Sequence, residues 1–233
     1  MLDHPRTAPY AFGALLQELA AEPDVLHTLD SVVVLAVDTI PGCDWAGVTV
    51  RHGKEFTTPA ATAPVVNELD QAQYDLSQGP CVDAVRLDGT FLIEDMASET
   101  RWPDWAPVAH RLGVGSSLSV RLAAPKGTVG GLNLYAKNPR GFDDDDVNVA
   151  HHYATHAGAA LAIANEVTNL QTALQTRHSI GAAQGILRHR HGLTLDQGFK
   201  VLVRVSRNNN VRLRELADMV IEANGLPAQF MGD

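Results

Sequence analysis

The sequence predicts an α+β fold followed by an all-helical C-terminal region. In the N-terminal half, helices come first and short strands with helical insertions follow, residues 143–177 continue as one helical pattern, and three helices follow one another near the end. Strands and helices that do not strictly alternate are typical of an antiparallel sheet with flanking helices. We therefore expect a sheet domain at residues 1–164, a helical stem at 143–177, a three-helix domain at 170–224 and a tail at 225–233.

The elements of the sheet domain follow from periodicity and from turn residues. Apolar residues recur every three or four positions in Phe12–Ala20 and Val25–Ile40, which predicts two amphipathic helices. Runs bounded by Gly, Pro and Asp predict five strands: Trp45–Val50, Glu55–Ala60, Gly89–Asp95, Ser116–Leu122 and Gly130–Ala136. Further helices are expected at Pro64–Tyr74, from Pro80 and at Trp102–Leu112.

Composition limits the classes to which the protein can belong. Its net charge is −9, and its two cysteines, Cys43 and Cys81, are too few for a disulfide framework or a cysteine-based zinc site. No run approaches the ~20 apolar residues of a membrane span, and the N-terminus lacks a signal-peptide pattern, so we expect a cytoplasmic protein without membrane contact. Residues 1–165 hold 10 basic and 21 acidic residues, whereas residues 166–233 hold 8 and 6, so the basic excess is C-terminal.

The C-terminal region predicts three helices. The first has apolar residues at helical spacing, namely Leu170, Leu174, Ile180, Ala183, Ile186 and Leu187. Gly192 can end this helix, and Thr194 with Gln197 predicts a capping box for the second. The second helix has its apolar positions at Phe199, Leu202, Val203 and Val205. The third helix is expected to turn Leu213, Leu216, Ala217, Val220 and Ile221 inward.

This region resembles the ANTAR domain, a bacterial three-helix RNA-binding module of antitermination regulators. The resemblance spans Arg177–Ile221 and rests on the AAQGIL segment at 182–187, Gly192 before Thr194, Phe199 with Leu202, and LRELADMVI at 213–221. Gln184, Arg188 and Gly198 stand where lysine, methionine and alanine are usual in the family. The resemblance implies binding to paired stem-loops of leader transcripts, which prevents a transcription terminator from forming.

The side chains expected to hold such an RNA are mostly basic. Arginine and lysine bind phosphate, and histidine can donate to or stack on unpaired bases. The predicted RNA-binding residues are Arg177, His178, Gln184, Arg188, Arg190, Lys200, Arg204, Arg207, Arg212 and Arg214. Between Arg177 and Arg214 only Asp196 is acidic, whereas ordinary surfaces mix both signs. The alternative is a ligand-sensing dimer whose helical tail docks protein partners without binding RNA.

Residues 12–164 resemble a GAF domain, a sensory module built on an antiparallel sheet. The resemblance rests on the helix Val25–Ile40, the GPCVDA segment at 79–84 and the strand, turn and long helix of Gly130–Leu161. It implies a small-molecule pocket between the sheet and the segments Leu76–Val85 and Trp102–Leu112. The candidate ligand-binding residues are Trp45, Cys81, Phe91 and Trp102, and core packing is the alternative role for each aromatic residue.

Other residues with chemical potential have competing interpretations. Cys81 is expected near a helix N-terminus, where a lowered pKa would permit redox sensing or a reductase activity, although free cysteines are more often packing residues. His152 and His156 are one helical turn apart but lack a third ligand at a matching spacing. Asp143–Asp146 is explained by helix capping. The sequence predicts no catalytic site, no metal and no cofactor.

The helix that follows the GAF-like region predicts a homodimer. Ala160, Ile163, Val167, Leu170 and Leu174 are separated by steps of 3, 4, 3 and 4 residues. This is the spacing of a coiled-coil seam, so a second copy of the chain is the expected partner. The alternative is that the same stripe packs on the chain's own sheet.

Overall fold

The computed structural model describes residues 17, 19, 21, 22, 24–53, 55–124 and 127–230. The chain divides into two compact units, Met1–Glu166 and Val167–Asp233. The predicted helix Phe12–Ala20 lies outside the described residues except for Gln17 and Leu19, which are helical. Within the described part of the chain, no helix is both long enough and apolar enough to cross a membrane.

The first unit is built on a five-stranded antiparallel sheet. Its strands are β1 (Trp45–His52), β2 (Glu55–Ala61), β3 (Thr90–Ile93), β4 (Ser116–Ala124) and β5 (Gly127–Ala136). They lie in the order β2-β1-β5-β4-β3, and every neighbouring pair is antiparallel. The sequence prediction of an antiparallel sheet is therefore confirmed.

Helix α1 (Val25–Thr39) precedes β1, α2 (Pro64–Leu76) and α3 (Pro80–Arg86) lie between β2 and β3, and α4 (Ala106–Arg111) lies between β3 and β4. A single turn of 3₁₀-helix, Met96–Ser98, follows β3. The predicted helix Trp102–Leu112 is shorter at its N-terminal end, because a residue before proline is disfavoured in the helical conformation and Pro103 follows Trp102.

Two apolar clusters cover the sheet. One includes Leu134 of β5 and buried residues of α1, and the other includes Tyr135 of β5 and buried residues of α2 and α4. Successive side chains of a strand point to opposite faces, so the two clusters lie on opposite sides of the sheet. Helices therefore cover both faces of this antiparallel sheet.

A long helix, α5 (Asp144–His191), contains the boundary between the two units, and α6 (Leu195–Asn209) and α7 (Leu213–Glu222) follow it. A 3₁₀ turn at Ala228–Phe230 comes last among the described elements. The acidic run caps α5, because the Asp143 and Asp146 carboxylates each accept a hydrogen bond of 2.9 Å from the other residue's backbone N–H.

The second unit has a small core shared by its three helices. The buried residues are Ala183, Leu187, Leu202, Val205, Leu216, Ala217 and Val220. Ile221, which was predicted to face inward, is 37% exposed, and Phe199, an apolar position of the second predicted helix, is 41% exposed. Residue spacing alone could not distinguish these exposed positions from the buried ones. A helix with apolar residues on more than one face has several apolar stripes with the same period.

The start of α6 is stabilised by the predicted capping box. The Thr194 hydroxyl accepts from the Gln197 backbone N–H at 3.2 Å, and the Gln197 side chain accepts from the Thr194 N–H at 2.9 Å. At the other end of the helix, Asn210 adopts the left-handed conformation with φ of 51°. This residue explains why the asparagine run ends the helix, since asparagine tolerates that conformation.

Replacing Thr194 with Ala should lower the free energy of unfolding of the second unit by about 1 kcal/mol, because one N-terminal N–H is left without its acceptor. Thr172→Ala, at an exposed site within α5, is the control. It should leave that free energy unchanged or raise it slightly, since alanine favours helix more than threonine does. Urea unfolding followed by far-ultraviolet circular dichroism measures both; equal effects would contradict a role for the cap.

Candidate nucleic-acid interface and ligand cavity

Most of the predicted RNA-binding cations are exposed and unopposed. Within the described residues, six of them have no carboxylate oxygen within 4.0 Å of their side-chain nitrogens: Arg177, Arg188, Arg190, Lys200, Arg204 and Arg207. His178 is exposed as well. Side chains that are not neutralised internally remain able to pair with the phosphates of a nucleic acid.

The α6 helix brings three of these cations to one face. Lys200, Arg204 and Arg207 are separated by four and three residues, so they share the exposed side of the helix. Leu202 and Val205, on the opposite side, pack into the core of the second unit. Burial of that apolar face therefore turns the three cations towards solvent.

The structure distinguishes Arg212 and Arg214 from this set. The Arg212 guanidinium lies 4.0 Å from Glu215, and that of Arg214 lies 3.9 Å from Asp218. Arg214 also donates to the Gln175 side chain at 3.4 Å. The nearly acid-free interval seen in the sequence stops just before these two carboxylates, so counting charges within it could not reveal the pairing.

Gln184 also has an intramolecular partner. Its side-chain amide donates to the Leu195 carbonyl oxygen at 2.9 Å. This bond ties α5 to the first turn of α6 and occupies one of the amide's donors. Gln184 therefore has a structural role, a hydrogen bond between two helices, in addition to its predicted RNA-binding role.

The first unit contains a buried carboxyl group that the sequence analysis did not identify. Asp70 on α2 is fully buried, and it accepts hydrogen bonds from the Tyr135 hydroxyl at 2.7 Å and from the Thr58 hydroxyl at 2.8 Å. The Asn133 side chain adds longer bonds of 3.3 and 3.4 Å. Burial raises the pKa of Asp70 to about 6, and the hydrogen bonds oppose that shift.

Of the two interpretations of Cys81, the structure favours the packing residue over the redox-active thiol, which would need a lowered pKa. Cys81 is in the first turn of α3, but its side chain is fully buried, and burial raises the pKa of its thiol well above the usual value. The nearby Asp70 carboxylate raises this pKa further. Its backbone N–H donates to the Gln73 side chain at 3.0 Å, so Cys81 has the surroundings of a packing residue.

The three candidate aromatic residues belong to one apolar cluster of the first unit. Trp102 is 4% exposed, its indole N–H donates to Asp83 at 2.8 Å, and the Phe91 ring packs against it edge-on with centroids 5.6 Å apart. Trp45 is half-buried, and the Lys137 ammonium lies 4.9 Å from its ring centre. These positions correspond to the core-packing alternative.

A cavity of about 330 Å³ lies elsewhere in the first unit. Its lining residues are Glu55, Phe56, Tyr74, Asp75, Ser77, Val82 and Arg86. The Phe56 and Tyr74 rings stack with centroids 5.7 Å apart, and the Arg86 guanidinium lies 5.5 Å from the Phe56 ring centre. The Tyr74 hydroxyl contacts those of Thr49 and Thr58 at 2.9 and 2.7 Å, which connects the cavity to the Asp70 hydrogen bonds.

A second cavity, of about 390 Å³, is more polar. It is lined by Leu92, Glu94, Asp95, Ser98, Glu99, Thr100, Arg101 and Arg140. Neither cavity is lined by Trp45, Cys81, Phe91 or Trp102. Sequence reasoning favoured those residues because they flank turns, but it missed Phe56 and Tyr74, which come together only through the packing of α2 on β2.

Four of the five predicted seam residues are exposed. Ile163, Val167, Leu170 and Leu174 are 62%, 42%, 60% and 66% exposed. Ala160 is 7% exposed and belongs to the core of the first unit, so the intramolecular alternative is correct for this residue.

In the described ranges, no group of three or more His, Cys, Asp or Glu residues is placed to hold a metal ion, and His152 and His156 belong to no such group.

The sheet with helices on both faces and the three-helix unit define the class of the protein. The GAF domain model matches residues 22–162 and the ANTAR domain model matches residues 168–221. The first match covers more than half of the chain, and the protein belongs to the GAF domain family and carries a C-terminal ANTAR domain. Both resemblances seen in the sequence are confirmed.

Individual relatives cover different parts of the chain. The transcriptional regulatory protein PdtaR of Mycobacterium tuberculosis is 32% identical over 66 residues, which is 28% of this chain and 32% of PdtaR, so the match spans about a third of that protein. The free methionine-R-sulfoxide reductase of Neisseria meningitidis superposes with a TM-score of 0.55 at 17% identity, covering 70% of this chain and 97% of the reductase.

A GAF domain from an Acinetobacter phosphoenolpyruvate-protein phosphotransferase has a TM-score of 0.54 at 15% identity and covers 70% of this chain and 99% of that domain. At these levels of identity, the structural matches establish the fold alone. The reductase therefore gives no support to a catalytic role of Cys81, whose thiol is buried.

Asp70→Asn tests the buried carboxyl group. Burial raises the pKa of Asp70 from its ordinary value of 3.8 to about 6 in the folded chain, which therefore binds more protons than the unfolded chain between these values. The free energy of unfolding should fall as pH rises through this window, by on the order of 3 kcal/mol from this group, and Asn should abolish that fall.

The measurement is urea unfolding at pH 4 to 7, followed by tryptophan fluorescence, because all three tryptophans are in the first unit. Other carboxyl groups are the same in both proteins and cancel when wild type and variant are compared. Glu68→Gln, at an exposed site on the same helix, is the control and should follow the wild type. A constant difference between wild type and Asp70→Asn across this pH range would contradict the raised pKa.

Proposed function

We propose that the protein is a transcription antitermination regulator that binds structured RNA through its ANTAR domain. The observation that carries this proposal is the set of exposed arginines and lysine on α5 and α6 that have no carboxylate partner among the residues the structure describes. Such side chains bind a polyanion by releasing its counterions, whereas paired cations would first have to give up a partner. The name of PdtaR, a transcriptional regulatory protein, supports a role in transcriptional regulation.

In this function, the basic residues fix the position of the RNA and other contacts recognise it. Phosphate contacts carry no sequence information, and specificity in RNA comes largely from unpaired bases in loops. Paired stem-loops of a leader transcript offer such loops together with a dense array of phosphates. Holding them in this form disfavours the terminator hairpin that would use the same nucleotides.

The GAF domain is proposed to sense a small molecule at the Phe56–Tyr74 cavity. Its volume of about 330 Å³ is in the range of small-molecule sites, and its stacked rings and Arg86 suit a planar molecule with an anionic group. Glu55 and Asp75 in the same lining would accept hydrogen bonds from donor groups of the ligand.

The protein is proposed to act as a homodimer. Ile163, Val167, Leu170 and Leu174 retain heptad spacing and are exposed in the single chain, so pairing with a second copy would remove their apolar surface from water. Two copies would bring together two RNA-binding domains, which fits a target with two stem-loops.

RNA binding can be tested by changing unopposed and paired arginines separately. Arg204→Ala with Arg207→Ala should weaken binding to a two-stem-loop RNA and reduce the magnitude of the salt slope by about 0.7 to 0.9 for each phosphate that is no longer neutralised. Arg212→Ala with Arg214→Ala is the matched control, because these residues face Glu215 and Asp218. We expect a smaller change in slope from this control.

The titration compares a paired stem-loop RNA with a loop-scrambled RNA. If the wild type binds both equally and only weakly at physiological salt, the RNA-binding proposal fails, and a helical tail that docks protein partners takes its place. If the two double variants have the same slope, the unopposed cations are not the residues that bind phosphate.

The dimer seam can be tested by adding charge to it. Val167→Glu with Leu170→Glu should convert a dimer to a monomer in light scattering, because both carboxylates would be buried at the interface. Asn165→Glu with Thr172→Glu adds the same charge at exposed positions on the opposite face of α5 and should leave the dimer mass unchanged. An unchanged mass for the seam variant would exclude the seam from the interface.

The cavity can be tested by thermal shift with a panel of planar anionic metabolites, beginning with nucleoside monophosphates. A ligand at 100 times its Kd should stabilise the folded state by about 2.7 kcal/mol and raise Tm. Arg86→Leu should abolish the shift, whereas Arg204→Ala should retain it. A shift that persists in Arg86→Leu would place the ligand elsewhere.

A further inference from the structure

The outer face of α6 contains a partly exposed aromatic residue, Phe199. Leu195 and Phe199 are 49% and 41% exposed and are four residues apart, and the half-buried Val203 follows after four more. These three side chains form a partly exposed apolar stripe along the helix. Leu202 and Val205 supply the buried face of α6, so the core of the second unit does not require the whole surface of Phe199.

A basic stripe runs beside this apolar stripe. Lys200 follows Phe199 directly and is therefore about 100° further around the helix, with Arg204 and Arg207 continuing along its side. The only acidic residue in the sequence of α6 is Asp196, in its first turn, where a negative charge is favoured by the helix dipole. The charge of the face is therefore complementary to a polyanion.

The aromatic residue is also held on a rigid support. The Gln184 amide donates to the Leu195 carbonyl at 2.9 Å, and a side-chain carbon at Gly198 would lie 3.6 Å from the Gln184 Cα. The turn of α6 that carries Phe199 is thus packed closely on α5. A fixed platform reduces the entropy cost when a partner binds.

We propose that Phe199 is the stacking platform for an unpaired base of the RNA, while Lys200, Arg204 and Arg207 hold the adjoining phosphates. An aromatic ring beside a line of cations is the combination that binds single-stranded nucleotides, because every base has a face that can stack and every nucleotide has a phosphate. The inference rests on the proposed RNA binding and adds the residue that contacts the loop. A protein partner with an uncharged surface would form no ion pairs with Lys200, Arg204 and Arg207.

The test is a double-mutant cycle with the full-length protein and a two-stem-loop RNA. Its protein variants are wild type, Phe199→Leu and Phe199→Tyr, and its RNAs have either intact loops or abasic sites in place of the loop bases. Phe199→Leu should weaken binding to the intact RNA about tenfold, within the range found for single base–aromatic contacts. Phe199→Tyr keeps a ring and should bind within about twofold of wild type.

On the abasic RNA, wild type and Phe199→Leu should bind equally, because the base that stacks on the ring is gone. Ile221→Ala is the matched control, since Ile221 is an exposed apolar residue of the same unit on α7 and should not change the affinity. Circular dichroism and light scattering on each variant establish that helix content and mass are those of the wild type.

Three results would overturn the inference while leaving RNA binding intact. These are equal affinities of wild type and Phe199→Leu for the intact RNA, the same weakening on the abasic RNA, or a weakening in Phe199→Tyr as large as that in Phe199→Leu. A reduced oligomer mass in Phe199→Leu would assign the stripe to contact between copies of the chain instead. Failure of wild type to bind the intact RNA would instead refute the proposed function itself.

Discussion

The packing of the first unit depends on hydrogen bonds to one buried carboxyl group, that of Asp70. Asp70 has no contact with water, and it is held by hydroxyl and amide donors from β2, β5 and its own helix. A buried carboxyl group without such donors would lower the free energy of unfolding by roughly several kcal/mol. These bonds therefore fix how α2 lies on the sheet. The cavity proposed to bind a small molecule lies beside Phe56 and Tyr74, whose hydroxyl contacts that of Thr58, a donor to Asp70.

The second unit is governed by a simpler constraint. Its three helices share seven fully or nearly fully buried side chains, and each helix must turn one face towards them. That requirement sets which residues point outward, and on α6 these are a basic stripe and an aromatic residue. The chemistry of the proposed RNA interface therefore follows from the packing of small and branched apolar residues on the other side of the helix.

Much of the fold could be predicted from the sequence because its signals are local. The five strands, the uninterrupted α5 and the capping box at Thr194 each depend on neighbours along the chain. What could not be predicted depends on contacts between distant residues. The partners of Asp70, the ion pairs of Arg212 and Arg214, and the exposure of Phe199 all require knowledge of which helix face meets which neighbour.

We propose above all that this protein binds structured leader RNA through the exposed cations of its ANTAR domain. Ultraviolet crosslinking in the host, followed by sequencing of the attached RNA, tests it most directly, with a Lys200→Ala, Arg204→Ala and Arg207→Ala variant at equal abundance as the comparison. We predict enrichment of leader transcripts with paired stem-loops upstream of terminators for the wild type and loss of that enrichment in the variant. Equal RNA profiles for the two proteins would contradict the claim.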